Sequence, residues 1–317
     1  MENGLAFSAG KNRRSDYEYA PMTYHAQFFG AYTALITPFT QAGAVDYAQF
    51  EPFVEWQIAE GIHGIVPCGT TGESPTLSHT EHKEIVARAV KVAAGRVKVM
   101  AGTGSNSTAE AIEFTQAAEK AGADAALVVA PYYNKPTQEG LYQHYKAIAQ
   151  ATALPIFIYN IPGRSVINLT DATLARLAEI PNIAGVKDAT GDLARVATLH
   201  HLVGDRLVQF SGEDMTMVGF NAMGGRGVIS VLSNLAPKLC AQVQALSLAG
   251  KYDEARALHA PLVPLISALF TETNPMPVKF ASALMKHSDG SMRLPLVAPT
   301  DATQALLRST LAAVNLA

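Results

Sequence analysis

The chain has 317 residues, of which 49% are hydrophobic and 16% charged, so it is long enough to bury one large core or two small ones. Its formal net charge of −3 gives no electrostatic reason to expect nucleic acid or an anionic membrane as a partner, since both favour a basic face. Cys68 and Cys240 are the only cysteines and form no CxxC pair, which argues against a disulfide framework and a thiolate zinc site.

The first segment, residues 1–26, is polar, contains scattered aromatic residues and shows no periodicity. It holds no apolar stretch of the length that a secretory signal needs, so we predict a flexible N-terminal extension on a cytoplasmic protein. The longest apolar passage of the chain, LHAPLVPLISALF, is too short to cross a bilayer and contains two prolines. We therefore expect no membrane span.

Residues 27–235 alternate between short apolar runs and longer segments of helical period. The runs start near residues 31, 64, 97, 125, 155, 183, 207 and 227, which is the spacing of repeated strand–helix units. The runs are apolar on both faces, as in a parallel sheet covered by helices, and several helical segments begin with Ser, Thr or Asp and end at Gly. This pattern predicts an α/β fold, a (β/α)₈ TIM barrel, with a doubly wound open sheet as the alternative because periodicity does not show closure.

The pattern becomes helical alone in residues 236–317. PKLCAQVQALSLAG and DATQALLRSTLAAVNL are the clearest examples. We interpret this part as the last barrel helix followed by a helical C-terminal extension that packs on the barrel.

Polar sequences follow the second to sixth predicted strands. In order they are GTTGES, GTGSNS, PYYNKP, YNIPGRS and KDATGD. Since barrel enzymes carry their reactive groups at the carboxyl ends of the strands, we expect these sequences to meet at one rim.

Lys187 ends an apolar strand, where a charge is unexpected. One interpretation is structural, with the ammonium paired to Asp188 or to another carboxylate at a strand end. The other is a Schiff-base lysine, which needs a desolvated setting or nearby positive charge to act as a nucleophile. Tyr159 ends the neighbouring strand, so its phenol either moves protons for an imine or caps the strand with its hydroxyl in water.

Thr70 and Thr71 lie in a Gly-flanked loop that we expect to enter a helix, where hydroxyl and N–H groups hold a carboxylate, or which simply caps that helix. Arg164 offers a planar fork for a second carboxylate, or is a surface arginine. His79 and His82 are spaced i, i+3 but have no evident third ligand, so we predict no metal site and prefer solvent-facing or effector-binding histidines. GxGxxG, GxxxxGK[ST], HExxH and GxSxG are all absent.

Five motifs together resemble those of the dihydrodipicolinate synthase family of pyruvate-dependent class I aldolases: GTTGES, PYYNKPTQEGLYQHYKAIA, YNIPGRS, GVKDATG and NPMPVK. The resemblance runs from about residue 28 to the C-terminus. It implies condensation of pyruvate with L-aspartate 4-semialdehyde to 4-hydroxy-tetrahydrodipicolinate, in lysine and diaminopimelate biosynthesis, with no metal or organic cofactor. It also implies a homotetramer, built as a dimer of dimers, and feedback inhibition by L-lysine.

The resemblance also implies a role for individual residues. The implied catalytic residues are the imine-forming Lys187 and a proton relay of Tyr159, Thr70 and, from a neighbouring subunit, Tyr133. The implied substrate-binding residues are Thr71 for the pyruvate carboxylate, Arg164 for the aldehyde's carboxylate, and Gly212 and Ile229 through backbone groups. The implied L-lysine site consists of Ser74, His79, His82, Asn106, Glu110 and Tyr132. Pro75 replaces the small residue expected beside that site, and Gly163 and Ser165 are mild variants around Arg164.

The nearest alternative is another pyruvate aldolase, such as an N-acetylneuraminate lyase or a keto-deoxy sugar acid aldolase. Such an enzyme would share Lys187 and Tyr159, whereas the GTT loop, the pair Tyr132–Tyr133 and Arg164 favour the synthase. A remote alternative is a non-catalytic regulatory barrel that has kept the fold.

Overall fold

A computed structural model describes residues 26–316 of the chain. Eight parallel strands pair in chain order and close into a barrel. The first and last strands pair directly, with Tyr32 opposite Ile229, so the barrel is confirmed and the open sheet is excluded. The strands are β1 (Gly30–Ala34), β2 (Gly64–Val66), β3 (Lys98–Gly102), β4 (Ala125–Val129), β5 (Ile156–Asn160), β6 (Ile183–Asp188), β7 (Val208–Ser211) and β8 (Gly227–Ser230).

Helices alternate with the strands and then continue alone. Those between strands are α1 (Tyr47–Ala59), α2 (His79–Ala93), α3 (Thr108–Ala121), α4 (Gln138–Gln150), α5 (Pro162–Ser165), α6 (Asp171–Leu177), α7 (Ala194–Val203) and α8 (Met217–Ala222). After β8 come α9 (Pro237–Leu248), α10 (Tyr252–His259), α11 (Val263–Leu269), α12 (Met276–Leu284) and α13 (Asp301–Ala313). A C-terminal helical region is therefore present, as predicted.

Local sequence signals set several helix ends. Ser78 accepts from the backbone N–H of Glu81 while the Glu81 side chain accepts from the Ser78 N–H, which satisfies two N–H groups at the start of α2. Ser107 and Thr300 cap α3 and α13 in the same position. Gly122 ends α3 at φ +88°, a left-handed conformation that costs glycine little.

Aromatic side chains fill the interior of the barrel. Phe28, just before β1, meets Phe157 edge-on with ring centroids 5.2 Å apart, and Phe157 meets Phe210 at 5.7 Å. Tyr32 contacts Phe210 at 5.3 Å and leaves no space beside Gly64, where a Cβ would lie 2.1 Å from the Tyr32 ring. Because Phe28 precedes the first strand, this packing occupies the amino end and leaves the carboxyl ends of the strands for a site.

The C-terminal helices pack on one another and on the barrel. Helix α9 lies against β1, α10 packs on α9, and α13 packs on both α11 and α12. The link between α11 and α12 returns to the carboxyl end of the barrel, where the main chain of Asn274 contacts Arg164. The predicted extension falls on residues 1–26, nearly all of which lie outside the described residues, so it stays a prediction together with the proposed segment boundaries. No helix between residues 26 and 316 is long and apolar enough to cross a membrane.

Candidate active site

Lys187 and Tyr159 lie side by side at the carboxyl ends of β6 and β5. The register of the two strands puts them directly opposite each other, and the Lys187 Nζ lies 4.1 Å from the centre of the Tyr159 ring. Each is only 6% exposed. The two residues that the sequence singled out on neighbouring strands are thus brought into contact in a sheltered position.

Asp188 does not pair with Lys187. Successive residues of a strand point to opposite faces, so the Asp188 carboxylate turns towards the helices. There it accepts from the Thr190 N–H at 2.9 Å and lies 3.2 Å from the Arg195 guanidinium. Within the described residues Lys187 makes no ion pair, which argues against the structural interpretation of this lysine.

The loop after β2 holds Thr71 buried and Thr70 half-buried. Contrary to expectation, the loop does not lead directly into a helix. Glu73 adopts a left-handed conformation at φ +56° and a 3₁₀ turn covers Ser74–Thr76, so α2 begins only at His79. The hydroxyls of this loop therefore lie outside the first turn of α2, and the predicted role of a helix N-terminus is wrong here.

A buried ion pair fixes this loop to the C-terminal region. The Lys279 Nζ lies 2.5 Å from the Glu73 carboxylate and donates to the Thr37 carbonyl at 2.8 Å, and both charged side chains are fully buried. The second Glu73 oxygen accepts from the backbone N–H of Arg293 at 3.2 Å. Burial lowers the pKa of Lys279, and the Glu73 carboxylate opposes that shift. Because Glu73 follows Thr71 by two residues, the pair holds the end of the candidate substrate loop.

Arg164 and Thr71 are joined by one residue that sequence reasoning left without a role, Asn274. The Arg164 guanidinium donates to the Asn274 carbonyl at 2.8 Å, and the Asn274 Nδ2 donates to the Thr71 hydroxyl at 3.0 Å. Arg164 is itself exposed on the four-residue helix α5, so its remaining N–H groups are available for an anion. The motif NPMPVK contains both Asn274 and Lys279, and it was the only sequence signal that this segment contributes to the site.

Gly212 and Ile229 lie at the ends of β7 and β8. The Gly212 N–H donates to the Asp188 carbonyl at 2.7 Å, and a Cβ at this position would lie 2.6 Å from that of Ala189. The Ile229 side chain is 1% exposed inside the barrel. Asp214, which the sequence analysis did not single out, is buried and accepts from two N–H groups just after β8, and burial raises its pKa.

Glu213 is a second carboxyl group that sequence reasoning missed. Burial raises its pKa, the neighbouring Asp214 adds to that shift, and the nearby Lys187 ammonium opposes it. A position directly after β7 is the signal that could have identified it, because this is where barrel enzymes place functional groups.

Tyr133 stands apart from the other predicted catalytic residues. It is 88% exposed and has a left-handed backbone at φ +74°. Tyr132 beside it is half-buried, and burial raises its pKa, while Ser105 and the backbone of Asn106 oppose that shift. Its exposed phenol is therefore not part of the sheltered contact between Lys187 and Tyr159.

Most residues of the predicted effector site form one cluster between α2 and α3. Glu110 accepts from Ser105 and lies 2.8 Å from His79 Nε2. His82 stacks on Phe114 with ring centroids 4.1 Å apart, and burial lowers its pKa to about 4. Ser74 lies in the 3₁₀ turn after the candidate substrate loop. In the described part of the chain no cluster of three or more His, Cys, Asp or Glu side chains could hold a metal.

Comparison with known proteins gives consistent matches over nearly the whole described chain. The family model for the dihydrodipicolinate synthetase family matches residues 27–314. The 4-hydroxy-tetrahydrodipicolinate synthase of Rhodospirillum centenum is 56% identical over 289 residues, which cover 91% of this chain and 99% of that one.

Solved structures agree with the family match. The dihydrodipicolinate synthase of Acinetobacter baumannii, described as chloride-inhibited and complexed with pyruvate, has a TM-score of 0.90 and 46% identity, covering 91% of this chain and 99% of that one. The enzyme of Cyanidioschyzon merolae, solved with lysine bound, has a TM-score of 0.89 and 38% identity, covering 92% and 99% of the two chains.

Proposed function

The chain belongs to the dihydrodipicolinate synthetase family, and on this premise we propose that it condenses pyruvate with L-aspartate 4-semialdehyde through an imine on Lys187. The product is 4-hydroxy-tetrahydrodipicolinate, the compound named in its relatives, and the activity belongs to lysine and diaminopimelate biosynthesis. The observation that carries the proposal is the Lys187 ammonium, sheltered at a barrel rim and facing the Tyr159 ring with no ion-pair partner among residues 26–316.

The reaction begins when the Lys187 amine attacks the keto carbon of pyruvate and water leaves the carbinolamine. The resulting iminium withdraws electrons, so a methyl proton of pyruvate leaves and an enamine forms. The enamine carbon attacks the aldehyde carbon and forms the new C–C bond. The amino group of the second substrate then attacks the imine carbon, which closes the ring and releases Lys187. The lysine itself is the electron sink, so the proposal needs no added cofactor.

Proton transfer in these steps falls to the phenol of Tyr159, which contacts Lys187, with Thr70 and Tyr133 completing the relay. Thr71 binds the pyruvate carboxylate, Arg164 binds the carboxylate of the aldehyde, and backbone groups of Gly212 and Ile229 line the pocket. We assign Tyr133 to the site of a neighbouring subunit because it is 88% exposed on its own barrel. This assignment requires at least a dimer, and a dimer of dimers is the assembly that we propose.

L-Lysine is the proposed regulator, bound by Ser74, His79, His82, Asn106, Glu110 and Tyr132. The Glu110 carboxylate between α2 and α3 suits an ammonium, and the relative from Cyanidioschyzon merolae was solved with lysine bound. Pro75 next to Ser74 alters the loop at this site, so we expect the inhibition by lysine to differ in strength from that of relatives with a small residue there.

The direct test is borohydride reduction in the presence of pyruvate, followed by peptide mass mapping. We expect a pyruvate-dependent mass on the peptide that contains Lys187, and loss of both adduct and turnover in Lys187→Ala. Lys98→Ala is the matched control, since Lys98 starts β3 at the opposite end of the barrel and pairs with Asp124 at 2.7 Å. A wild-type chain that gains no adduct on Lys187 would overturn the mechanism.

Mixing two inactive variants tests Tyr133 in trans. A hybrid of Lys187→Ala and Tyr133→Phe chains contains one site with both an intact lysine and an intact partner tyrosine. Co-expression should therefore restore activity that neither variant has alone. If Tyr133 serves its own barrel, the mixture stays as inactive as its components.

A comparison of substrates separates the synthase from the related aldolases. We expect turnover of pyruvate with L-aspartate 4-semialdehyde to exceed the reaction with pyruvate and N-acetylmannosamine, since Arg164 offers a fork for a short carboxylate. A preference for the sugar would place the chain among the aldolases instead. Absence of turnover with either would favour the regulatory barrel.

A further inference from the structure

Asn274 lies between the two residues proposed to anchor the substrates. Its side-chain Nδ2 donates to the Thr71 hydroxyl at 3.0 Å, and its main-chain carbonyl accepts from the Arg164 guanidinium at 2.8 Å. The residue is only 6% exposed although it lies in the link between α11 and α12. One residue thus contacts Thr71 through its side chain and Arg164 through its main chain.

The Oδ1 atom of Asn274 is buried and has no hydrogen-bond partner among the described residues. A buried amide oxygen without a donor is costly, and native structures retain few of them unless something outside the protein meets the group. Since Nδ2 is already engaged by Thr71, the amide is oriented with its acceptor unused. This arrangement indicates that a bound molecule supplies an N–H or O–H donor at this point.

The chemistry of the two substrates identifies that donor. The carboxylate that Thr71 would bind and the carboxylate that Arg164 would bind are both acceptors, so neither satisfies an amide oxygen. L-Aspartate 4-semialdehyde carries its amino group on the same carbon as its carboxylate. A carboxylate held by Arg164 therefore brings the amino group close to a residue that contacts Arg164 directly.

We infer that Asn274 is a specificity-determining residue whose Oδ1 accepts an N–H from the α-amino group of the second substrate. The inference rests on the function proposed above. By holding the amino group, Asn274 selects amino-bearing aldehydes over analogues that lack the group, and it keeps the nitrogen near the imine carbon that it later attacks. Sites that hydrogen-bond a substrate N–H reject analogues without it, because the buried partner is then left unsatisfied.

A buried ion pair holds the segment that carries Asn274 against the loop that carries Thr71. Five residues later, Lys279 pairs with the buried Glu73, which ends the same loop that carries Thr71. The segment therefore cannot shift away from Thr71 without disturbing that pair. A recognition group held on such a support discriminates by geometry as well as by charge.

The test compares Asn274→Ala with Asn274→Asp, using L-aspartate 4-semialdehyde as substrate and succinate semialdehyde, which lacks the amino group, as a competitive inhibitor. Asn274→Ala should lower kcat/KM for the amino substrate by about tenfold or more, because it removes a hydrogen bond to a charged group. The inhibition constant of succinate semialdehyde should change little. Asn274→Asp keeps an acceptor and should keep most of the preference, although it loses the donor to Thr71.

Asn182→Ala is the matched control for a structural role. Asn182 lies before β6 at the amino end of the barrel, where its Nδ2 donates to the carbonyls of Ala149 and Thr152 at 3.0 and 3.1 Å. It should reduce thermal stability without altering the preference between the two aldehydes. Three results would each overturn the inference. Asn274→Ala could weaken the binding of succinate semialdehyde as much as it lowers kcat/KM for the amino substrate, Asn274→Asp could lower that kcat/KM as much as Asn274→Ala does, or kcat/KM could stay unchanged in Asn274→Ala.

Pyruvate trapping on Lys187 is measured in the same variants. If the wild-type chain forms no adduct, the proposed function fails and the inference fails with it. If the adduct forms normally but the preference between aldehydes does not depend on Asn274, the inference alone is wrong.

Discussion

Replacing Lys279 with methionine should destabilise the fold far more than any surface charge change. The substitution keeps an unbranched side chain that is one atom shorter. It leaves the Glu73 carboxylate with the Arg293 N–H at 3.2 Å and the Thr37 carbonyl without its donor. Both charged side chains are fully buried, so solvent cannot compensate. Removing one partner of such a pair costs about 3 to 5 kcal/mol.

This cost converts into a measurable shift. With an unfolding entropy of roughly 0.6 kcal/mol/K for a chain of this size, Lys279→Met should lower Tm by about 5 to 8 °C at fixed protein concentration. The Glu73→Gln/Lys279→Met double variant should recover part of the loss, because the carboxylate is no longer buried without a countercharge. Calorimetry of the wild-type chain and the two variants measures both effects.

Lys251→Met is the matched control. Its ammonium lies 3.4 Å from Glu254 with both side chains more than half exposed, and such a pair contributes little to stability. We expect a wild-type Tm. If Lys279→Met melts like this control, or if the double variant is less stable than Lys279→Met, the reasoning about the buried pair is refuted.

Three further outcomes follow from the site and the core. Tyr159→Phe should lower kcat by about a hundredfold or more while pyruvate still protects the folded chain from heat, because the ring stays and only the acid–base hydroxyl is lost; an unchanged kcat would remove Tyr159 from the relay. Arg164→Lys should raise KM for the aldehyde and leave pyruvate trapping on Lys187 intact, since lysine cannot form the bidentate contact; a defect in trapping would assign Arg164 to the first substrate. Burial lowers the pKa of His144 to about 4, whereas an imidazole in the unfolded chain has a pKa near 6.5. Between these two pH values the unfolded state binds more protons than the folded state. The free energy of unfolding therefore falls as the pH decreases through this range. His144→Asn should flatten the decline of Tm between pH 7 and about 5, and an identical decline would show that other groups cause it.

The sequence was sufficient for the order of the strands and, to within one residue, for the start of each, because the signals are local. The run IAGVKD starts at residue 183, as β6 does, and the apolar runs on either side identify its neighbours. Parallel pairing of consecutive strands then places Lys187 next to Tyr159 without any detailed contact being known. The loop after β2 was misjudged because a glycine-flanked loop resembles a helix entrance, whereas the left-handed Glu73 and the 3₁₀ turn delay α2 to His79.

The contacts around Asn274 could not be predicted in this way. Asn274 and Thr71 are 203 positions apart in the chain, and Lys279 and Glu73 are 206 apart, so no periodicity or spacing connects them. The motif NPMPVK identified the segment as characteristic of the family, but it did not show which residues the segment contacts. Its contacts depend on how α11, α12 and α13 pack, which is a property of the whole fold.

The two buried lysines show why burial alone does not identify a nucleophile. The Nζ of Lys279 donates to Glu73 and to the Thr37 carbonyl, so attack on a ketone would require breaking a buried ion pair. The Nζ of Lys187 is nearly as sheltered, but it lies over the Tyr159 ring and, within residues 26–316, makes no hydrogen bond or ion pair that attack would have to break. A structural lysine is held by hydrogen bonds that make it unreactive. Lys187 has no such bonds within the described residues, and a phenol able to carry protons lies beside it. These two facts are a stronger indication of covalent chemistry than the position of Lys187 on the rim.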